Sequence, residues 1–222
     1  MQRIEILRAD QLPKIDNIAA PGQSQFFSAM ENWGAILTFE RILLDDPAIT
    51  SAATRQNLYT TQAHEVAHQW WGHQVMGANT QGGTVVVETL AQYSALMVME
   101  HKYGPEQIRK FLKFELDRYL RSRGGEVVEE LPLNRVENQG YIHYRKGSLA
   151  MYLLKDQIGE AAVNRALRKL LAQYAFKAAP TRVSPNCLII PIESSLSVLG
   201  VSYNQLLAIA FADKGFQLTE KI

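Results

Sequence analysis

Residues 61–74 read TQAHEVAHQWWGHQ. Positions four apart on a helix share a face, so His64 and His68 present two imidazoles to one point. Glu65 stands beside the first of them, within reach of a water near that point. This H-E-x-x-H spacing is the arrangement that binds zinc through two histidines and supplies a carboxylate base. Val66, Ala67, Trp70 and Trp71 make the surroundings apolar. Ionisable groups buried in such a setting are costly unless they are paired or bind a metal.

A third protein ligand is needed, and Glu88 is the favoured candidate. It is the one charged residue between His73 and Glu100 and sits in the apolar run VVVETLA. An unpaired carboxylate there would be expensive, and a cation would neutralise it. His73, five residues after His68, is the rival. Both its offset and that of Gly72 differ from the metzincin pattern of three histidines, so its default role is that of a neighbour at a helix end.

The chain around this segment has 222 residues, 47% of them hydrophobic, with 23 basic and 22 acidic residues and a formal net charge of +1. That is enough for one substantial core, and it carries no basic footprint for nucleic acid. One cysteine, Cys187, excludes an internal disulfide; a reducing compartment fits, and so does secretion without disulfides. No apolar run has the length of a membrane span, and the start, MQRIEILRADQLPK, does not read as a signal peptide. The expectation is a soluble protein, with a cytoplasmic location favoured and its oligomeric state open.

Residues 1–50 read as short strands and turns: IEIL, KIDNIAA and AILTFERILL, punctuated by Pro13 and Pro21-Gly22. Helical spacing predicts helices over about 52–72 and 84–102, from Pro105 to Gly124-Gly125, and over about 146–158 and 160–175. The second is apolar nearly all round and is expected to be buried. Residues 124–140 read as an acidic loop, 187–192 as a strand and 202–213 as a helix capped by Ser202. The expected class is α+β, mainly α: one domain, with a small β region over 1–50 and a helical catalytic lobe over 51–222.

Three stretches resemble the gluzincin zinc aminopeptidase family, of the aminopeptidase N and leukotriene-hydrolase type. SAMENWGAI at 28–36 resembles its exopeptidase signature, HEVAHQWWG at 64–72 its zinc helix, and YRKG at 144–147 its tyrosine motif. The resemblance implies a truncated thermolysin-like catalytic domain binding one zinc ion per chain. It implies His64, His68 and Glu88 as ligands, Glu65 as general base, Glu31 as the carboxylate that takes the substrate's free amine, and Tyr144 as the oxyanion donor. The implied partners are peptides with a free N-terminus.

The chain departs from the family in four respects. One residue more than the family spacing separates His68 from Glu88, which is read as an insertion in the loop GANTQGG; the unaltered spacing would land on Val87. VETLA replaces the usual sequence around the ligand glutamate. This middle stretch is similar to bacterial members fused to ABC-type permeases, so a parent protein could be membrane-associated. Ser28 stands where the family has glycine, a strain if that backbone needs a positive φ. Finally, 222 residues leave no room for the family's flanking domains.

Read as chemistry, the set implies a metallopeptidase that hydrolyses the N-terminal peptide bond with zinc-activated water. Two other classes compete: a zinc-stabilised, non-catalytic peptide-binding module, and the accessory lobe of a transporter. Neither needs both Glu65 and Tyr144. Glu31 in AMENW reads as a turn residue, His143 as surface, His101 as a helix-end cation, Lys146 as structural, and Trp70 and Trp71 as core or pocket wall.

Overall fold

The computed structural model describes residues 15–20, 29–39 and 51–179. IEIL, Ser28, the ERILL end of the third strand-like run, Cys187 and the expected elements at 187–192 and 202–213 lie outside the described residues.

Three short strands come first: β1 (Asp16–Ala20), β2 (Ala29–Asn32) and β3 (Ala35–Phe39). They form a sheet in the order β1-β3-β2, with β1 parallel and β2 antiparallel to β3. The expected turn at AMENW is a correction. AMEN is strand β2, and Glu31 pairs with Ile36 across a tight turn at Trp33-Gly34. Gly34, at φ 74°, allows that turn.

Ser51 caps helix α1 (Ala52–Ala67), its hydroxyl accepting from the Thr54 amide at 3.1 Å. The helix ends sooner than the expected 72. His68 is still right-handed helical, but the chain then turns through buried Gln69, Trp70 and Trp71. At Gly72 it takes φ 126°, where a Cβ would press on Val87 at 3.3 Å. The turn leads into strand β4 (Val75–Gly77), which pairs in parallel with β5 (Lys177–Ala179). Neither strand has a sequence run long enough to announce itself.

A π-helical turn (Val85–Thr89) runs directly into α2 (Leu90–Tyr103). As expected, α2 is central: every side chain from Leu90 to Met97 is buried. Apolar burial of this kind contributes about 1.5–3 kcal/mol per large side chain. Helix α3 (Pro105–Gly124) follows, with proline in its first turn and Ile108, Phe111 and Tyr119 inward. The loop after it contains a 3₁₀ turn (Leu133–Arg135). A second π turn (Tyr141–Lys146) opens α4 (Gly147–Ile158), and α5 (Glu160–Tyr174) completes the helices. The described residues thus form a mainly helical α+β fold around α2. Among them, no helix is long and apolar enough to cross a membrane.

Candidate metal centre

His64 and His68 project from the last turn of α1, where both are buried. Glu88 reaches them from the first π turn. His64 Nε2 and His68 Nε2 lie 3.0 Å apart, and Glu88 Oε2 lies 3.3 Å from the first and 3.5 Å from the second. The carboxylate contacts exceed the usual 2.7–3.2 Å of a hydrogen bond. They match another geometry: tetrahedral zinc with bonds of about 2.0–2.1 Å keeps its ligand atoms about 3.3 Å apart. His68 Nδ1 meets the Trp71 carbonyl at 2.8 Å. Donation of that N–H leaves the Nε2 lone pair facing the cluster, the second hydrogen bond that orients metal-binding histidines.

The electrostatics of the three groups call for one positive charge at their centre. Burial lowers the His64 pKa. Burial also opposes a charge on His68, but the Glu88 carboxylate outweighs it and raises this imidazole to about 9. Burial would raise Glu88, yet the two imidazoles hold it well below the ordinary carboxylate range. The donor set and its spacing therefore fit a divalent cation such as zinc.

Val87, the position that the family spacing would select, faces the other way. Its methyl groups pack towards Gly72 and Gly77. A π turn takes one residue more than an α turn, so the helix carrying Glu88 can itself absorb the additional residue. His73 does not join the cluster; its ring meets Trp33 edge-on at 5.9 Å.

Glu65 is buried, and its carboxylate lies beside the backbone of Glu31. Burial, reinforced by the nearby Glu31 and Glu88 charges, pushes it up to about 7. Ligand atoms of Glu31, Glu65 and His68 lie within 4.8 Å of one another, so the edge strand β2 brings Glu31 to the site. Tyr144, from the second π turn, has its ring 5.6 Å from the His64 ring, with its hydroxyl beside the Glu88 carboxylate. Burial raises its pKa, with Glu88 adding to the effect, and keeps the phenol protonated. All six residues singled out from the sequence thus meet in one place.

Several supporting residues escaped the sequence reading. Gln69 is fully buried; its carbonyl accepts the Gly34 amide at 2.7 Å and its amide donates to the Asn32 carbonyl at 2.8 Å. This pins the β2–β3 turn to the end of α1. Asn17, Thr38 and Gln62 close a second polar link between sheet and helix. Thr89, directly after Glu88, donates to the His143 carbonyl at 2.5 Å and so joins the two π turns. Glu115 sits at 2% exposure and accepts Arg145 Nη1 on both oxygens, at 3.0 and 2.7 Å. Its one legible signal was an acid standing in the apolar stripe of α3. His143, expected at the surface, is buried against Tyr144. Lys146 pairs with Glu130, and His101 with Glu160 at 3.2 Å.

Comparison with known proteins gives a consistent picture. The model of the peptidase family M1 domain matches residues 9–183. Endoplasmic reticulum aminopeptidase 2 of Homo sapiens is 29% identical over 204 residues, 87% of this chain and 20% of its own length. Glutamyl aminopeptidase of Homo sapiens is 29% identical over 77% of this chain and 18% of its own. The chain therefore spans about a fifth of the curated relatives it matches. Among solved structures, the M1 zinc metallopeptidase from Deinococcus radiodurans is 23% identical, with a TM-score of 0.52 over 92% of this chain and 41% of that one. That likeness bears on the fold.

Proposed function

The chain belongs to peptidase family M1, and on that premise we propose that it is the catalytic core of a zinc metalloaminopeptidase. The observation that carries the proposal is the spacing of His64, His68 and Glu88, at 3.0, 3.3 and 3.5 Å. Those distances suit one tetrahedral cation, and the two carboxylate contacts lie beyond the usual hydrogen-bond range. Bound there, zinc supplies Lewis acidity towards a carbonyl oxygen and towards water.

The chain's own residues provide the rest. Glu65, raised to about 7, accepts the proton of the attacking water and delivers it to the leaving amine. Tyr144 remains protonated and donates to the oxygen that gains charge in the transition state. Glu31, beside Glu65 and His68, offers a carboxylate to the substrate's ammonium group. Such a cation so near a metal needs a compensating charge. The β2 edge lies alongside, where an extended peptide backbone can pair. Substrates are accordingly peptides with a free N-terminus.

The test measures zinc by elemental analysis and turnover on an aminoacyl anilide and its N-acetylated counterpart. The expected result is one zinc per chain and hydrolysis of the free-amine substrate alone. Equal cleavage of both would remove the aminopeptidase reading. Zinc binding without turnover would favour a non-catalytic peptide-binding module.

A further inference from the structure

A cavity of about 530 Å³ opens on His64, Glu65 and Tyr144 and runs away from them between α1 and α3. Glu31 is not on its wall. With the substrate amine at Glu31, the part of the peptide beyond the scissile bond therefore extends into this cavity. Along α1 the wall continues from His64 through Thr60 and Thr61 to Asn57. Seven residues of α-helix rise about 10 Å, the length of roughly three extended residues.

The opposite wall carries Phe114, Glu115 and Arg118 of α3. The Glu115 carboxylate is engaged by Arg145 and by the Gln92 amide at 3.1 Å. Arg118 stands one turn further along. Its guanidinium lies over the Phe114 ring, 5.3 Å from the centroid. Among the described residues, no carboxylate lies within ion-pair distance of it. A guanidinium over a ring, with no carboxylate engaging it, retains N–H donors that can receive a carboxylate.

We propose that Arg118, on the wall of this cavity, binds a carboxylate carried on the leaving side of the substrate. The ligand class is a short peptide carrying that carboxylate as its C-terminus or as an acidic side chain after the scissile bond. The inference rests on the aminopeptidase reading for the direction in which the peptide lies.

The test reads binding, so that it does not depend on turnover. The full chain carrying Glu65→Gln, loaded with zinc, is titrated calorimetrically with Leu-Ala-Ala and with its C-terminal amide. Leu-Glu-Ala amide and Leu-Gln-Ala amide follow. A carboxylate at Arg118 should tighten binding about tenfold over the matched neutral peptide. The gain should shrink at high salt, vanish on adding Arg118→Gln and persist in part with Arg118→Lys. A gain confined to Leu-Ala-Ala identifies the C-terminus as the source, and one confined to the Leu-Glu-Ala amide identifies the side chain. Equal affinities throughout, a preference that survives Arg118→Gln, or no binding of any of the four peptides would overturn the proposal. Turnover of an aminoacyl anilide by the chain with Glu65 intact decides the peptidase reading separately.

Discussion

Two regions build the candidate site by different means. The end of α1 supplies His64, Glu65 and His68 within five consecutive residues, on ordinary helical spacing. Glu88 and Tyr144 arrive from two π turns that lie far apart in sequence and precede α2 and α4. A regular helix fixes its side-chain directions by period alone. A π turn widens the helix and re-aims a side chain, which is why such turns recur at functional sites. The helix end is thus secured by local geometry, whereas the π turns depend on what holds them together. Thr89 provides that link through the His143 carbonyl. Gly147 provides the room: a Cβ there would stand 2.4 Å from the Thr89 hydroxyl.

The largest expected effect is on the helix side. Glu65→Gln should lower hydrolysis of a free-amine substrate by about 10²–10⁴-fold while elemental analysis still finds one zinc per chain. Loss of the metal in this variant would make Glu65 part of the coordination and erase its separation from the two histidines. On the π-turn side, Glu88→Ala should weaken zinc binding by more than about a hundredfold, beyond the cost of losing an outer-sphere partner. A chelator competition titration measures it. Unchanged affinity would mean that the first π turn does not serve the metal.

Tyr144→Phe should reduce kcat by about 10²–10³-fold, with KM and zinc content little altered; steady-state kinetics on the same anilide give the answer. A KM effect alone would make Tyr144 a binding group.

The smallest effect falls on the link between the two turns. Thr89→Val leaves a buried carbonyl without its donor, at a cost of about 1–3 kcal/mol in urea unfolding. Thr89→Ser, which keeps the hydroxyl, should recover most of it. Gly147→Ala should cost about 1–3 kcal/mol by overpacking at the same point. A neutral Gly147→Ala would show that the two turns are not held together there.

The same contrast explains what is legible in the sequence. The 3.6-residue period makes a shared face of His64 and His68, and the stranded charge in VVVETLA marks Glu88 as a group in need of a partner. The helices from Pro105 to Gly124 and around 160–174 follow from apolar spacing and from proline and glycine at their ends. Strands β4 and β5 did not show, because three-residue strands carry no usable period. Glu31 reads as a turn residue in the sequence because the partner that makes AMEN a strand, β3, lies across a turn. His143 reads as a surface residue because a histidine beside a tyrosine carries no local sign of burial, yet it is buried.

What the sequence determined by itself was therefore the chemistry: which imidazoles share a face, which carboxylate cannot stay unpaired, and which segments form helices. Each of these is a property of a few neighbouring residues. What only the tertiary structure decided was the convergence. Glu88 faces His64 and His68 while Val87 faces Gly72 because a π turn resets the helix there. Gln69 ties the β2–β3 turn to α1, and Glu115 holds Arg145, through contacts made across long stretches of chain. Such contacts form only when distant elements pack, and no local pattern of residues encodes them.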